Sequence, residues 1–233
     1  MHFKSNHPPC RWAILLAVTF LPATVIAHNV DVDDIQRISS LSGPQLWLYA
    51  YLGGKHMVTG YDHVLFLLGV IFYLERMKTV VVFVSLFALG HTITLISGVL
   101  SDTNVSPYLV DAVIGFSVAY KGFDNLGGFD MLFGERPNEK VAVFGFGLFH
   151  GLGLATKLQE LGLSEDGLLP NLIAFNVGVE VGQVLALVAM VLILRLLPAV
   201  RKNVTIATTV NSALILAGIA LMTYQIGLYM TTA

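Results

Sequence analysis

Histidines and carboxylates recur in this chain inside long apolar stretches: His56, Asp62, His63, His91, Asp111, His150 and Glu180. An ionisable group in hydrocarbon costs about 2.5–3.5 kcal/mol even on the lenient insertion scale, so each needs a partner or a water-filled site. Neutral imidazole and carboxylate together suit zinc, nickel, cobalt, manganese or iron in the +2 state. The only cysteine, Cys10, lies near the amino terminus. Once the first 27 residues are removed as an export signal, no thiolate remains, which points away from copper(I) and iron–sulfur chemistry. A proton relay or an internal salt-bridge cluster is the other use for the same residues.

The elements that must position these groups follow from composition. Of 233 residues 55% are apolar and only 12% charged, with a mean hydropathy of +0.75. A soluble domain carries roughly a quarter charged residues, so the chain reads as an all-α, polytopic membrane helix bundle in contact with lipid. The net charge of −2 and the lack of a basic cluster exclude nucleic acid as a partner. Residues 1–27 have the pattern of an export signal. Lys4 and Arg11 precede an apolar core from Trp12 to Phe20, Pro22 breaks it, and Val25-Ile26-Ala27 offers a cleavage site. An uncleaved signal anchor is the alternative.

Cleavage after Ala27 makes His28 the new amino terminus, where its amine and imidazole could chelate a metal, with Asp31, Asp33 and Asp34 as an acidic lure. Residues 28–53 are expected to be a periplasmic segment ending in an interfacial helix over Pro44–Leu52, interrupted by Gly53-Gly54-Lys55. Residues 54–233 hold the membrane domain. Since a span needs roughly 20 apolar residues, six are expected, over 60–75, 79–100, 107–126, 141–161, 170–197 and 205–230. Gly145, Gly147, Gly151 and Gly153 in the fourth, and Gly178 and Gly182 in the fifth, mark faces for close helix packing.

Basic residues orient the spans. The connections around 75–78, 121–140 and 195–204 carry Arg76, Lys78, Lys121, Arg136, Lys140, Arg195, Arg201 and Lys202. The alternate connections carry Asp102, Glu165 and Asp166 and no basic residue. The positive-inside rule places the basic set in the cytoplasm, which gives a multi-pass bacterial inner-membrane protein with a periplasmic amino terminus. Asp62, His63, Asp111 and Glu180 then fall in the outer half of the membrane and His91 and His150 near mid-depth, with no carboxylate or histidine in the cytoplasmic halves. That one-sidedness argues for a shared site.

Individual spacings refine the set. On one straight helix His56 and His63 stand about 10.5 Å apart, too far to hold one ion unless Gly60 breaks the helix. Asp62 points about 100° away from His63 and suits an orienting partner for an imidazole. Asn176, Glu180 and Gln183 form a polar stripe by i, i+4 and i+3 spacing, and His91 with Thr94 forms a weaker one.

Four segments resemble the signatures of the HupE/UreJ membrane proteins: Gly54–Leu68 with His56, Asp62 and His63, Ala88–Leu95 with His91, Phe144–Gly153 with His150, and Phe175–Gln183 with Asn176 and Glu180. The resemblance implies an inner-membrane protein of nickel, sometimes cobalt, acquisition, with metal-handling groups at His56, Asp62, His63, His91, His150 and Glu180. Where that family tends to open the third span with glutamate, this chain has Asp111, one methylene shorter. No GxxxxGK[ST] loop is present, so the expected function is an ATP-independent divalent-metal permease rather than an enzyme. Two rivals stay open: an intramembrane zinc hydrolase, for which no HExxH helix is present, and a periplasm-facing metal chaperone or sensor.

Overall fold

The computed structural model describes residues 41–232 apart from 75, 102, 104, 161–165 and 199–201. The expected signal segment and His28 lie outside the described residues. Every regular element among the described residues is helical: α1 (Leu46–Thr59), α2 (Tyr61–Ile71), α3 (Met77–Leu100), α4 (Pro107–Asn125), α5 (Gly128–Phe133), α6 (Glu139–Glu160), α7 (Leu168–Leu196) and α8 (Val204–Thr232). The chain forms an all-α membrane helix bundle. Helices α3, α6, α7 and α8 are each long and apolar enough to cross a membrane. Helix α4 has similar length but carries Asp111, Lys121 and Asp124. Pro107 opens it, where a missing N–H costs nothing.

Helix α1 packs along α7, and α2 continues from it onto α4. Gly53 lies against the Phe175 carbonyl. The Gln45 N–H donates to Asn171 Oδ1, Ala50 meets Gly178 and Gly54 meets Gly182, so residue numbers rise together and α1 runs parallel to α7. Beyond Gly60 the chain turns to α4, with Gly69 against the Lys121 stem and its carbonyl accepting from Asn125, while Ile71 and Leu74 reach a small cavity beside Val191 and Leu194 of α7. The helix does not stop at Gly53-Gly54, as the sequence suggests, but at Gly60 (φ −70°, ψ 99°), which caps α1 and starts α2. The physical reason is that Gly53 and Gly54 are turned toward α7, where their lack of a side chain serves packing rather than termination.

Two more helix pairs close in the same way. Gly147 meets the Phe87 carbonyl, Gly151 the His91 carbonyl, and Gly98 the Ala155 methyl, so α3 and α6 run parallel. Gly115 faces Met222, Gly218 faces Ala119 and Gly122 faces Asn211, so α4 and α8 run antiparallel. In lipid, apolar side chains gain nothing from leaving the solvent, and close van der Waals contact at small residues drives association instead. These directions match an alternating chain, so Arg76, Arg136 and Arg195 lie at one end of the bundle. One expected packing glycine departs from the pattern, since nothing approaches Gly145 within 4 Å.

A methyl at Gly178 would collide with the Ala50 carbonyl. Overpacking of this kind costs about 1–3 kcal/mol. Gly178→Ala therefore lowers the thermal unfolding midpoint of the purified protein in detergent, whereas Gly145→Ala, which adds a methyl to open space, does not. Equal midpoints for both variants would refute the packing assignment.

Candidate metal centre

The break at Gly60 brings the last turn of α1 onto the first turn of α2. A Cβ at Gly60 would sit 2.9 Å from both the His56 carbonyl oxygen and His63 Nδ1, so a side chain there would obstruct the junction. Across it the His56 and His63 rings have centroids 5.0 Å apart, about half the separation an unbroken helix would impose. Sequence spacing had made joint action of these two histidines conditional on such a break, and the break is there.

Asp62, His63 and His150 each offer one ligand atom, all within 4.8 Å of one another. They are 2%, 0% and 0% exposed. His63 Nδ1 lies 3.1 Å from Asp62 Oδ1. A carboxylate accepts, so Nδ1 carries the proton and the His63 lone pair sits on Nε2. On the other side of the cluster, Ser117 Oγ donates to the Ile114 carbonyl at 2.6 Å and stands 3.3 Å from His150 Nε2. With its own proton engaged, the hydroxyl accepts from Nε2–H, which places the His150 lone pair on Nδ1. Fixing each tautomer through the far ring nitrogen is the arrangement that orients imidazoles toward a metal.

The His150 ring is 4.7 Å from that of His63, and the His91 ring is 6.2 Å from His63. Phenylalanines wall the group. Phe87 stacks on His91 at 6.4 Å and meets His150 edge-on at 5.0 Å. Phe66 lies 5.5 Å from His150, and Phe175 lies 6.1 Å from His56. Such walls keep the local dielectric low and strengthen attraction between a cation and its ligands.

The remaining sequence candidates stand apart. Asp111 Oδ2 accepts from Lys157 Nζ at 2.9 Å and from Gln225 at 3.3 Å, about two helical turns along α4 from Ser117. Glu180 is exposed on α7, while Asn176 and Gln183 are buried and bond Thr92 at 2.6 Å and the Val84 carbonyl at 3.5 Å. The single stripe expected on α7 is thus split. Glu180 lies about 40° beyond Asn176 on the helical wheel, on the side away from the buried Phe175 and Val179. Thr94 donates across to the Leu148 carbonyl at 2.6 Å and ties α3 to α6.

Sequence reasoning missed Ser117 and the phenylalanine wall, whose types are unremarkable in a membrane helix. It also misplaced two charges. The sequence pattern places Lys121 in a connection and leaves the half of the bundle near the basic end without a carboxylate. Lys121 and Asp124 are instead buried within α4.

The family described as HupE / UreJ protein matches residues 33–233. The chain belongs to the HupE/UreJ family. The match spans every described helix, and so the whole of this cluster. No curated protein and no solved structure matches the chain. The HupE/UreJ family is associated with nickel and cobalt uptake, which connects a histidine-rich interior to metal handling.

Proposed function

We propose that this HupE/UreJ protein is an ATP-independent permease for a divalent transition metal, nickel first and cobalt or zinc next, in the bacterial inner membrane. The observation that carries the reading is the buried Asp62–His63–His150 group beside the helix break, with His56 and His91 around it. His63 Nε2 and His150 Nδ1 bind the ion, and Asp62 orients His63 and supplies negative charge. His56 receives the ion from the periplasmic side and His91 completes the set. Imidazole donors are those that nickel and zinc prefer.

Asp111 acts before the cluster. It draws cations toward α4, and Lys157 holds it between arrivals. With the amino terminus periplasmic and the signal removed after Ala27, His28 serves the same capture step. Glu180, exposed on α7, has no ligand role in this scheme. A +2 ion entering a cell at −100 mV gains about 4.6 kcal/mol, twice the single-charge value, which drives uptake without nucleotide hydrolysis.

Two predictions follow from this assignment. Purified His63→Ala and His150→Ala proteins lose bound nickel by metal analysis, Ser117→Ala binds it about tenfold more weakly, at the low end for loss of an orienting partner, and Glu180→Gln keeps wild-type content. Wild-type content in all four would remove the cluster from the mechanism. In vesicles, Asp111→Asn slows nickel entry more at low than at high ionic strength, because screening already weakens attraction at high salt. A defect equal at both ionic strengths would make Asp111 a direct ligand instead.

A further inference from the structure

A second ionic group, with Lys121 and Asp124 buried and Glu139 half-buried, lies between the histidine cluster and the basic end of the bundle. Lys121 Nζ donates to Asp124 Oδ2 at 2.5 Å and stands 3.6 Å from Glu139 Oε1. Lys121 and Asp124 are 5% and 3% exposed. Charges this deep persist only when their bonding capacity is met. Asp124 Oδ1 nevertheless has no hydrogen-bond partner among the described residues. The same three residues line a small cavity whose other walls include Phe66, Tyr120 and Phe146. An acceptor oxygen without a donor, beside a cavity with two carboxylates and one ammonium, is set up for a further cation.

The cavity adjoins the histidine cluster through one aromatic layer. Phe66 lines the cavity and also touches the His150 ring at 5.5 Å, while Phe146 packs on Phe66 at 5.7 Å. The same three helices supply each layer in turn. Helix α2 gives His63 and then Phe66, helix α4 gives Ser117, Tyr120 and then Asp124, and helix α6 gives His150, Phe146 and then Glu139. His150 and Glu139 are eleven residues apart, about 16 Å along α6. Below the layer, the Lys121 stem lies against Gly69, where an added Cβ would sit 3.0 Å from Cγ.

We propose that Asp124 and Glu139 form the exit subsite for the divalent cation, with the Lys121 ammonium occupying it whenever no ion is present. This rests on the permease reading and supplies the inner half of its route. Carboxylate oxygens suit nickel less well than imidazole does, so an ion passing Phe66 and Phe146 moves to donors that release it readily. Coulomb attraction scales with charge, so a +2 ion in transit displaces the ammonium briefly, but the tethered Lys121 regains the carboxylates at equilibrium and the wild-type subsite holds no standing ion. The ammonium returns when the ion leaves, which spares Asp124 the cost of standing buried and uncompensated.

The test separates this subsite from the permease reading. Asp124→Asn is isosteric and retains an acceptor for Lys121. It should bind nickel in detergent with wild-type stoichiometry yet carry it into vesicles about tenfold more slowly, the change for a barrier raised by ~1.4 kcal/mol. Asp124→Glu should recover part of the rate. Wild-type entry rates for Asp124→Asn overturn the proposal and leave the Lys121–Asp124 pair a structural lock. If the wild-type protein binds nickel but carries none, the permease reading fails by itself. The subsite is then decided by calorimetric titration of Lys121→Met with nickel. One equivalent beyond wild type, abolished by adding Asp124→Asn, supports it, and no extra equivalent refutes it.

Discussion

Helix backbones lie so close at Gly53, Gly147, Gly151 and Gly178 that a methyl group at any of them would strike a carbonyl on the facing helix. The candidate centre depends on that constraint. Gly151 follows His150 in sequence and rests on the carbonyl of His91, so one contact sets the spacing of two histidine-bearing helices. Gly53 and Gly178 do the same for α1 and α7, and thereby hold the segment that breaks at Gly60. In lipid this geometry cannot be left to a general hydrophobic drive, because chain and solvent are equally apolar.

Helix α4 carries the polar load of the interior. Asp111, near its first turn, is held by Lys157 of α6. Ser117, at its middle, fixes the ring of His150, and Lys121 and Asp124 meet Glu139 in its last turns. Each charge has an opposite charge within hydrogen-bonding or ion-pair distance, as membrane burial demands. These pairs also tie α4 to α6 along their antiparallel course, from Asp111 with Lys157 to Lys121 with Glu139. The α4–α8 contact, by contrast, is close backbone approach at Gly115, Gly122 and Gly218, with neutral amide bonds at its two ends, Gln225 to Asp111 and Asn125 to Asn211. The charged partners of α4 thus come from α6 or from α4 itself, while α8 offers close packing and neutral amides.

Much of this was legible in the sequence, for reasons that differ by feature. Apolar runs of 21–29 residues announce spanning helices because hydrocarbon permits few other conformations. Glycines four apart mark close approach, and rare buried histidines mark a site because hydrocarbon makes them costly. Gly60 as a breaker between His56 and His63 was readable only as a condition, since nothing local distinguishes it from Gly53 or Gly54, which continue a helix. Their fates differ because α7 lies against the earlier pair.

The sequence by itself determined the all-helical membrane class, the family, the bounds of the long helices to within a few residues, and the histidines and acids that could bind metal. Each of these follows from local composition or spacing. Tertiary structure alone decided which candidates meet. It gathered Asp62, His63 and His150, paired Asp111 with Lys157, and turned Glu180 away from Asn176 and Gln183. It also drew Lys121 and Asp124 into the interior. The reason is rotational: a residue's depth follows from its place in the sequence, but the direction it faces about the helix axis is set by which neighbours that helix packs against.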